Sequence, residues 1–275
     1  MHPFWGPVIR PMLDALDAHT VVEIGAEQGR TTRLLLERAS EAGGTVIAID
    51  PKPRFDVSAW GLEWGTTFQF LKARSLDVAG RLPLSDAVLV DGDHNYFTVR
   101  RELEVIAASA EGHRGEPPAF FLHDVGWPYG RRDLYYDPDS IPFEHRHDAT
   151  QAALHPDREG TGEPGINRGL WNAAQEGGPR NGVLTAVEDF LASRPDQFES
   201  VLLPGWHGLA VLVPAGAANR TAVRREIGRI TSAEFLTSWA GLLERARILA
   251  SMPATQVSPA PVDRDRLERD QGLLD

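Results

Sequence analysis

The sequence predicts an α/β fold built on a mostly parallel sheet. Over roughly the first 195 residues, short apolar runs alternate with helical patterns, which is typical of βαβ units. A later segment, FESVLLPGWHGLAVLV, predicts two strands around a short glycine-containing turn, which form a hairpin at the sheet edge. The apolar runs that predict the parallel strands are Thr20–Ile24, Thr45–Ile49, Thr67–Leu71, Ala87–Val90 and Ala119–Leu122.

Helical patterns separate and follow these strands. RTTRLLLERASEAG ends at Gly43 and Gly44, which is a typical stop signal for a helix. In FTVRRELEVIAASA, Val99, Leu103 and Ile106 recur at helical spacing. Three further helices are predicted in the second half of the chain by GVLTAVEDFLASRP, TAVRREIGRI and SAEFLTSWAGLLERARILA.

The chain is expected to form one domain over residues 1–252, followed by a polar, proline-bearing tail at 253–275. Residues 126–182 interrupt the domain with a segment rich in Gly, Pro, Asp, Arg and aromatic residues and with little periodicity. A segment this long without secondary structure is usually functional or disordered. A lid over a binding site and an oligomer contact are both open interpretations of it.

Composition narrows the range of partners. The net charge of −11 repels polyanions, so nucleic acid is not expected as a partner. No apolar run is long enough for a membrane span, and the N-terminal residues do not resemble a secretory leader, so no membrane partner is expected. The chain has no cysteine, which excludes disulfides, thiolate metal sites and cysteine nucleophiles and fits a cytoplasmic location. A homo-oligomer remains open.

The first motif is VVEIGAEQGRTT, in which an apolar strand runs into Gly25 and then, through Gly29, into a helix. Glycine allows positive φ and a close backbone approach to a ligand, and the helix N-terminus offers unpaired N–H groups. A plain βα turn explains the pattern equally well. The third glycine of a dinucleotide fingerprint is missing, which argues against NAD. About 20 residues later, Asp50 ends the second strand, where an acid can hold ribose hydroxyls; a helix N-cap is the alternative.

The second motif is LVDGDHNYF, which places Asp91, Asp93 and His94 directly after the fourth strand. In an open α/β sheet, the carboxyl ends of the strands form the binding crevice. Because side chains alternate along extended backbone, Asp91 and Asp93 need not point the same way. Like charges this close raise each other's pKa unless a metal ion or a protonated histidine lies between them. Alternatively, Asp93 caps the following helix.

Four segments together, EIGAEQGRTT, IAID, DAVLVDGDHNY and FFLHDV, resemble the class I S-adenosylmethionine-dependent methyltransferases. The D-G-D-H motif is similar to a branch with macrolide-sugar and aminocoumarin-sugar O-methyltransferases and relatives of the cephalosporin hydroxylase type. The resemblance covers roughly residues 20–125 and the terminal hairpin. It implies a Rossmann-like seven-stranded methyltransferase sheet, mostly parallel with a C-terminal antiparallel hairpin, with helices on both faces and a long lid insertion after strand 5.

The resemblance also implies an activity. We expect S-adenosylmethionine-dependent O-methylation of a small-molecule acceptor hydroxyl in specialised, natural-product metabolism. The alternative is a methyltransferase-fold protein that binds the cofactor in a non-methylating or assembly role.

Residue roles follow from the same resemblance. Asp50 would bind the ribose hydroxyls, Ser75 would lie near the adenine, and Asp91 would sit beside the methyl donor. Asp93 and His94 are the candidate catalytic residues. The residues that would contact the cofactor are Glu23, Gly25, Gly29, Thr31, Asp50, Ser75 and Asp91.

Metal-dependent members of this branch hold a divalent ion, usually Mg²⁺, and the matching positions here are Asp91, His123 and Asp124. His123 stands where a carboxylate is expected. Mg²⁺ prefers oxygen ligands, whereas imidazole suits Mn²⁺, zinc, iron or nickel better. Either the ion differs, or it uses fewer protein ligands, or none binds. In the last case His94 or His123 could act as a general base.

The insertion supplies candidate substrate contacts. Trp127 and Tyr129 offer flat apolar walls for a ring or a sugar. Arg131 and Arg132 could bind a carboxylate or a phosphate. A folded surface loop is the alternative interpretation of all four residues.

Overall fold

The computed structural model describes residues 1–252, so the predicted tail at 253–275 lies outside the described residues. The strands are β1 Thr20–Ile24, β2 Thr45–Ile49, β3 Phe68–Leu71, β4 Ala87–Val90, β5 Ala119–His123, β6 Leu134–Tyr135, β7 Ala149–Thr150, β8 Trp171–Ala173, β9 Phe198–Leu203 and β10 Leu209–Pro214. The helices are α1 Arg10–Ala15, α2 Arg30–Ala42, α3 Val57–Trp64, α4 Ser75–Val78, α5 Tyr96–Arg114, α6 Val183–Ala192, α7 Ala215–Ala218, α8 Thr221–Ile230 and α9 Ala233–Ser251.

The chain divides into two compact units. The first is Met1–Ile230, and the second begins at Thr231 and contains α9. The first unit holds both sheets and every site residue predicted from the sequence. A single domain over 1–252 therefore stays a prediction.

A seven-stranded sheet forms the centre of the first unit, in the order β3-β2-β1-β4-β5-β10-β9. The five strands β3 to β5 in this order are parallel, and the β9–β10 hairpin is antiparallel. The predicted fold class is confirmed. The chain leaves β1 towards β2 and β3 and then returns to β4 on the other side, so the order reverses between β1 and β4. In open α/β sheets, ligands bind at the carboxyl ends of the strands beside such a reversal.

The strand limits differ from the prediction at two points. β3 begins at Phe68 because Gly65–Thr67 form a short 3-10 helix. β5 continues to His123, whose backbone pairs with Leu209 of β10. The antiparallel hairpin thus fixes the position of a predicted site residue.

Both faces of the sheet are buried, as expected for a parallel sheet between helices. One face packs against α5 and α6 through residues such as Leu103 and Phe190. The alternate strand residues, for example Val21 and Phe121, are buried on the other face, as are Leu35 and Leu36 of α2. No helix within residues 1–252 is long and apolar enough to cross a bilayer.

The insertion at 126–182 is folded, with a small antiparallel sheet in the order β6-β8-β7. Buried Asp133 anchors it: the carboxylate accepts hydrogen bonds from the backbone N–H groups of Tyr96 and Gly182, each at 2.7 Å. The Tyr135 hydroxyl donates to the same carboxylate at 2.8 Å. These bonds join the insertion to the first residues of α5 and α6. Its role as a lid stays a prediction.

Candidate active site

The site lies at the carboxyl ends of β1 and β4, where the two following loops touch. Gly25 has a φ of +91°, and a Cβ at this position would lie 2.2 Å from the carbonyl oxygen of Asp91. Only glycine fits here, because any side chain would be strained at this positive φ and would also overlap the Asp91 backbone. Gly25 therefore keeps the β1 and β4 loops in contact.

The opposite end of the β1 loop is also closely packed. Gly29 is the N-cap of α2 with a φ of +74°, and a Cβ there would lie 2.5 Å from the Trp60 ring. Thr31 is half-buried on the first turn of the helix. The next residue, Thr32, donates its hydroxyl hydrogen to buried Glu23 at 2.5 Å. Burial raises the pKa of Glu23 to about 8, so this acid carries little charge at neutral pH.

Backbone hydrogen bonds, including one from the loop after β1, hold the carboxylate of Asp50 in place. Its two oxygens accept hydrogen bonds from the backbone N–H groups of Glu27 at 2.8 Å and Lys52 at 2.6 Å. Each carboxylate oxygen can accept a further bond. The N-cap of α3 is Asp56, which accepts from Ala59, so the alternative role of Asp50 as a helix cap is wrong.

Three side chains form a compact polar cluster between β4 and β5. Nδ1 of His123 lies 3.0 Å from Oδ1 of Asp91 and 2.8 Å from Oδ2 of Asp124. Nε2 of His123 lies 2.8 Å from the carbonyl oxygen of Trp206, in the β9–β10 turn. The second oxygen of Asp91 accepts from the Met1 nitrogen at 3.1 Å.

These contacts decide the protonation of His123. A carbonyl oxygen only accepts hydrogen bonds, so Nε2 carries a hydrogen, and Nδ1 between two carboxylates carries one as well. Burial alone would lower the pKa of His123, but Asp124 and Asp91 outweigh it and raise the pKa to about 9. The pKa of Asp91 and that of Asp124 are held below their usual values against the opposing effect of burial, chiefly by His123 for Asp91 and by His94 for Asp124.

The same cluster also fits a divalent metal ion. One donor atom each from Asp91, His123 and Asp124 lies within 4.8 Å of the others. An ion would replace the proton on Nδ1, while Nε2–H would still donate to the Trp206 carbonyl. Histidines that bind metals are commonly oriented by a backbone carbonyl in this way. Two carboxylates and one imidazole suit Mn²⁺, Fe²⁺ or Zn²⁺ better than Mg²⁺.

His94 lies on the insertion side of this cluster. Its Nδ1 is 3.4 Å from Oδ2 of Asp124. Its ring stacks on Tyr129, with centroids 5.7 Å apart and planes at 4°, and meets the ring of Tyr136 edge-on. Its Nε2 makes no hydrogen bond to any of residues 1–252. This geometry resembles a histidine base oriented by an aspartate, with one nitrogen left for a substrate.

Asp93 faces a different region from Asp91. Burial raises the pKa of Asp93, and the groups that oppose this are His94, the Thr98 hydroxyl and Arg74. The N-cap of α5 is Asn95, which accepts from the backbone of Thr98 at 2.8 Å, so the alternative role of Asp93 as a cap is wrong. The structure thus separates the two acids of the D-G-D-H motif.

Glu102 of α5 is a second buried acid, and it lies near Asp93. Neither of its oxygens has a hydrogen-bond partner of normal geometry among the described residues. Burial raises the pKa of Glu102 to about 8, and the charge of nearby Asp93 raises it further. The Ser75 hydroxyl acts in the opposite direction and lowers the pKa. Ser75 itself is half-buried at the start of α4.

The predicted substrate contacts are divided between two environments. Tyr129 is buried against His94, and Trp127 packs beside Tyr129 in the apolar centre of the insertion. The two arginines bind protein groups instead. Arg131 makes two bonds to Glu188, and fully buried Arg132 donates to the carbonyls of Ala173 and Glu159. This placement favours a structural role for both guanidinium groups.

Several further residues contribute to the site. Phe4 is buried, and its ring meets His123 and Trp206 edge-on at 5.9 and 6.2 Å between centroids. His207 follows in the β9–β10 turn and approaches the His123 ring at 6.1 Å. The sequence feature that could have indicated this turn is the Trp206-His207 pair between two glycines. The pair of adjacent tyrosines in the insertion could have indicated that Tyr136 lies at the site.

A family model for a methyltransferase domain matches residues 22–111, about a third of the chain. The matched segment runs from β1 to α5 and contains Gly25, Asp50 and Asp91. It supports a methyltransferase domain across this part of the protein. No curated protein matches the chain.

Solved structures of methyltransferases show a distant likeness. A methyltransferase of Podospora anserina with bound S-adenosylhomocysteine is 13% identical with a TM-score of 0.45, over 74% of this chain and 76% of that chain. A putative caffeoyl-CoA O-methyltransferase of Staphylococcus aureus is 9% identical with a TM-score of 0.41, over 75% and 80%. The 1,6-didemethyltoxoflavin-N1-methyltransferase of Burkholderia thailandensis is 17% identical with a TM-score of 0.37, over 74% and 76%.

Proposed function

We propose that this protein is an S-adenosylmethionine-dependent methyltransferase that methylates a hydroxyl group of a small molecule from specialised metabolism. The observation that carries the proposal is the His94–Asp124 pair, placed beside Asp91 at the reversal of the strand order. The methyltransferase family match over residues 22–111 supports the same assignment.

The residues around the β1 loop fit the cofactor. Asp50 keeps acceptor capacity on both oxygens and would hold the ribose hydroxyls. Asp91, at the carboxyl end of β4, would lie beside the cationic sulfonium. When bound, S-adenosylmethionine supplies an activated methyl group on that sulfonium.

His94 is the base that removes the acceptor's proton in this proposal. The proton would pass to Nε2, which has no partner among the described residues, while Nδ1 faces Asp124 at 3.4 Å. Asp124 orients the ring and stabilises the imidazolium that forms. His123 is unsuited to this task because both of its nitrogens already carry hydrogens. The stacked Tyr129 ring holds His94 in place and forms one wall for an acceptor.

Isothermal titration with S-adenosylhomocysteine tests the cofactor site. Asp50→Asn should weaken binding by at least about tenfold, because it removes charge from the acceptor of two ribose hydroxyls. Asp56→Asn is the matched control, since the Asp56 carboxylate caps α3 by accepting from the Ala59 backbone, and asparagine can keep that bond. A folded wild-type protein that binds neither this product nor S-adenosylmethionine would rule out the proposal.

Methyl transfer to a panel of hydroxyl-bearing small molecules tests the role of His94. His94→Gln should retain S-adenosylhomocysteine affinity and lose about 10²- to 10⁴-fold in turnover. Unchanged turnover would remove His94 from the mechanism.

A divalent ion is the second candidate source of acceptor activation, because Asp91, His123 and Asp124 place three donor atoms within 4.8 Å. Chelation separates the two possibilities. Loss of turnover in excess EDTA, with recovery on added Mn²⁺ or Mg²⁺, would assign activation to the metal. Full turnover in EDTA would assign it to His94.

A further inference from the structure

A positively charged groove lies along α5, outside the crevice described above. It consists of two adjoining cavities of about 520 Å³ each, which share Arg100, Arg101 and Glu104. We call it the α5 groove. The first cavity lies between α5 and the insertion and is also lined by Tyr96, Phe97, Pro142, His145 and Arg180. The second is also lined by Val105, Ala108, Ser193, Arg194 and Gln197.

The charge of the first cavity is opposite to that of the protein. Three arginines face one carboxylate, in a chain whose net charge is −11. Glu104 binds Arg100 at 2.8 Å and Arg101 at 3.1 Å, so one acid serves two guanidinium groups. Arg180 is exposed and forms no ion pair with any of residues 1–252. The cavity therefore retains an excess of positive charge that an anion can neutralise.

Arg100 also has an unused hydrogen-bond donor. Its Nη2 donates to the Ser193 hydroxyl at 3.0 Å, and its Nε faces Glu104. Its Nη1 is buried and has no partner among the described residues. A buried donor left without an acceptor is energetically unfavourable. A ligand oxygen would satisfy this nitrogen after a shift of the Arg100 side chain, because the nitrogen has no exposed surface in the structure.

One wall of the first cavity contains a stacked aromatic pair. The rings of Phe97 and His145 stack with centroids 4.6 Å apart and planes at 24°. Phe97 belongs to α5 and His145 to the insertion, so the wall spans both elements. Tyr96 and Pro142 extend it with further apolar surface. Such a wall suits an aromatic ring or another flat group.

We propose that the α5 groove binds a small molecule that carries a phosphate group and a flat ring. The phosphate contacts Arg100, Arg101 and Arg180, which offer the forked donors that suit its oxygens. The ring packs on Phe97 and His145. The cavity volume lies within the range of small-molecule sites. This site is separate from the cofactor crevice and does not depend on methyl transfer.

Titration of the full chain with phenyl phosphate at low ionic strength tests this site. Inorganic phosphate supplies the charge alone, and phenol supplies the ring alone. Phenyl phosphate should bind most tightly, and its affinity should fall as salt is added. Arg101→Gln and Arg180→Gln should each weaken it by about tenfold or more. Phe97→Leu should weaken phenyl phosphate and leave inorganic phosphate unchanged.

Arg225→Gln is the matched control, because this exposed α8 residue lines neither cavity. The thermal unfolding of each variant establishes that it is folded. An affinity that falls equally in Arg225→Gln and Arg101→Gln would overturn the proposal, as would phenol that binds as tightly as phenyl phosphate. Competition by S-adenosylhomocysteine would also overturn it, since it would place the probe in the crevice. Absence of phenyl phosphate binding to folded wild-type protein has the same consequence.

Discussion

His123 shows how one residue can be fixed by groups from distant parts of the chain. Its two carboxylate neighbours follow β4 and β5, and its carbonyl acceptor belongs to Trp206 in the β9–β10 turn. Together they favour either an imidazolium or a metal-bound imidazole at this position. Both forms place positive charge between Asp91 and Asp124, which relieves the repulsion between these two carboxylates. The sequence predicts such a repulsion between Asp91 and Asp93, which face different regions in the structure.

Glu102 gives a prediction at the same scale. Its pKa is about 8 in the folded protein and 4.5 in the unfolded chain, so the folded state binds the extra proton between these values. Its contribution to stability is therefore constant below pH 4.5, declines as the pH rises to about 8, and is constant above that. Glu102→Gln removes the decline and should stabilise the protein at pH 7 by roughly 1–3 kcal/mol.

Thermal unfolding at pH 5 and pH 7 measures this effect. The variant should unfold at a similar temperature to the wild type at pH 5 and at a higher temperature at pH 7. Glu199→Gln, at an exposed position of β9, is the control. If the unfolding temperatures of Glu102→Gln and wild type differed by the same amount at both pH values, Glu102 would not have the raised pKa assigned to it.

At the scale of elements, the β1 and β4 loops depend on one glycine. Gly25→Ala and Gly43→Ala both place a side chain at positive φ, at +91° and +68°. Only the first meets backbone, at 2.2 Å, whereas the second enters open space. Gly43→Ala should cost about 1 kcal/mol of stability, from strain alone. Gly25→Ala should cost several times more and abolish S-adenosylhomocysteine binding.

Urea unfolding of the two variants tests the comparison. Equal losses of stability would show that the contact between the loops contributes nothing beyond the strain.

The insertion depends on Asp133 in a similar way. Asp133→Ala leaves two backbone N–H groups, the partly buried one of Tyr96 and the buried one of Gly182, without an acceptor. The cost should be about 2–6 kcal/mol, at 1–3 kcal/mol for each group. Hydrogen exchange should then accelerate across residues 126–182 more than in β1 or β4. The control Asp137→Ala removes an exposed carboxylate from the same segment. Unchanged exchange in Asp133→Ala would rule out this anchor.

The strands of the seven-stranded sheet could be predicted almost to the residue because their apolar runs are short and separated by clear turn signals. Residues such as Gly43 also marked helix ends correctly, since the helix stops there with a φ of +68°. The insertion could not be predicted in the same way. Its order comes from polar contacts between residues far apart in the sequence, such as Asp133 with Gly182, and these have no local periodicity.

The candidate site, like the fold, could be predicted only in part from the sequence. The resemblance to methyltransferases predicted that Asp91, His123 and Asp124 belong together, and the structure places one donor atom of each within 4.8 Å of the others. The pairing of His94 with Asp124 and the bond from His123 to the Trp206 backbone carbonyl depend on the local geometry of turns. Arg131 and Arg132 resembled ligand contacts in the sequence, but their partners are Glu188 and backbone carbonyls.

At the scale of the whole molecule, the crevice and the α5 groove are two separate binding regions in one compact unit. Ligands that bind independent sites should stabilise the protein additively. S-adenosylhomocysteine and phenyl phosphate, each at about 100 times its dissociation constant, should each add about 2.7 kcal/mol. Denaturant unfolding with each ligand and with both measures the sum. A combined stabilisation no greater than the larger single value would indicate one shared site.

The hydrogen bond between His123 and the Trp206 carbonyl spans 83 residues of sequence. During synthesis on the ribosome, the parallel strands emerge first, and the hairpin that supplies this carbonyl emerges later. A nascent chain can therefore begin to assemble its sheet long before the polar cluster has all its members. Products of premature termination would keep every acidic residue of the crevice and still lack the group that orients its central imidazole.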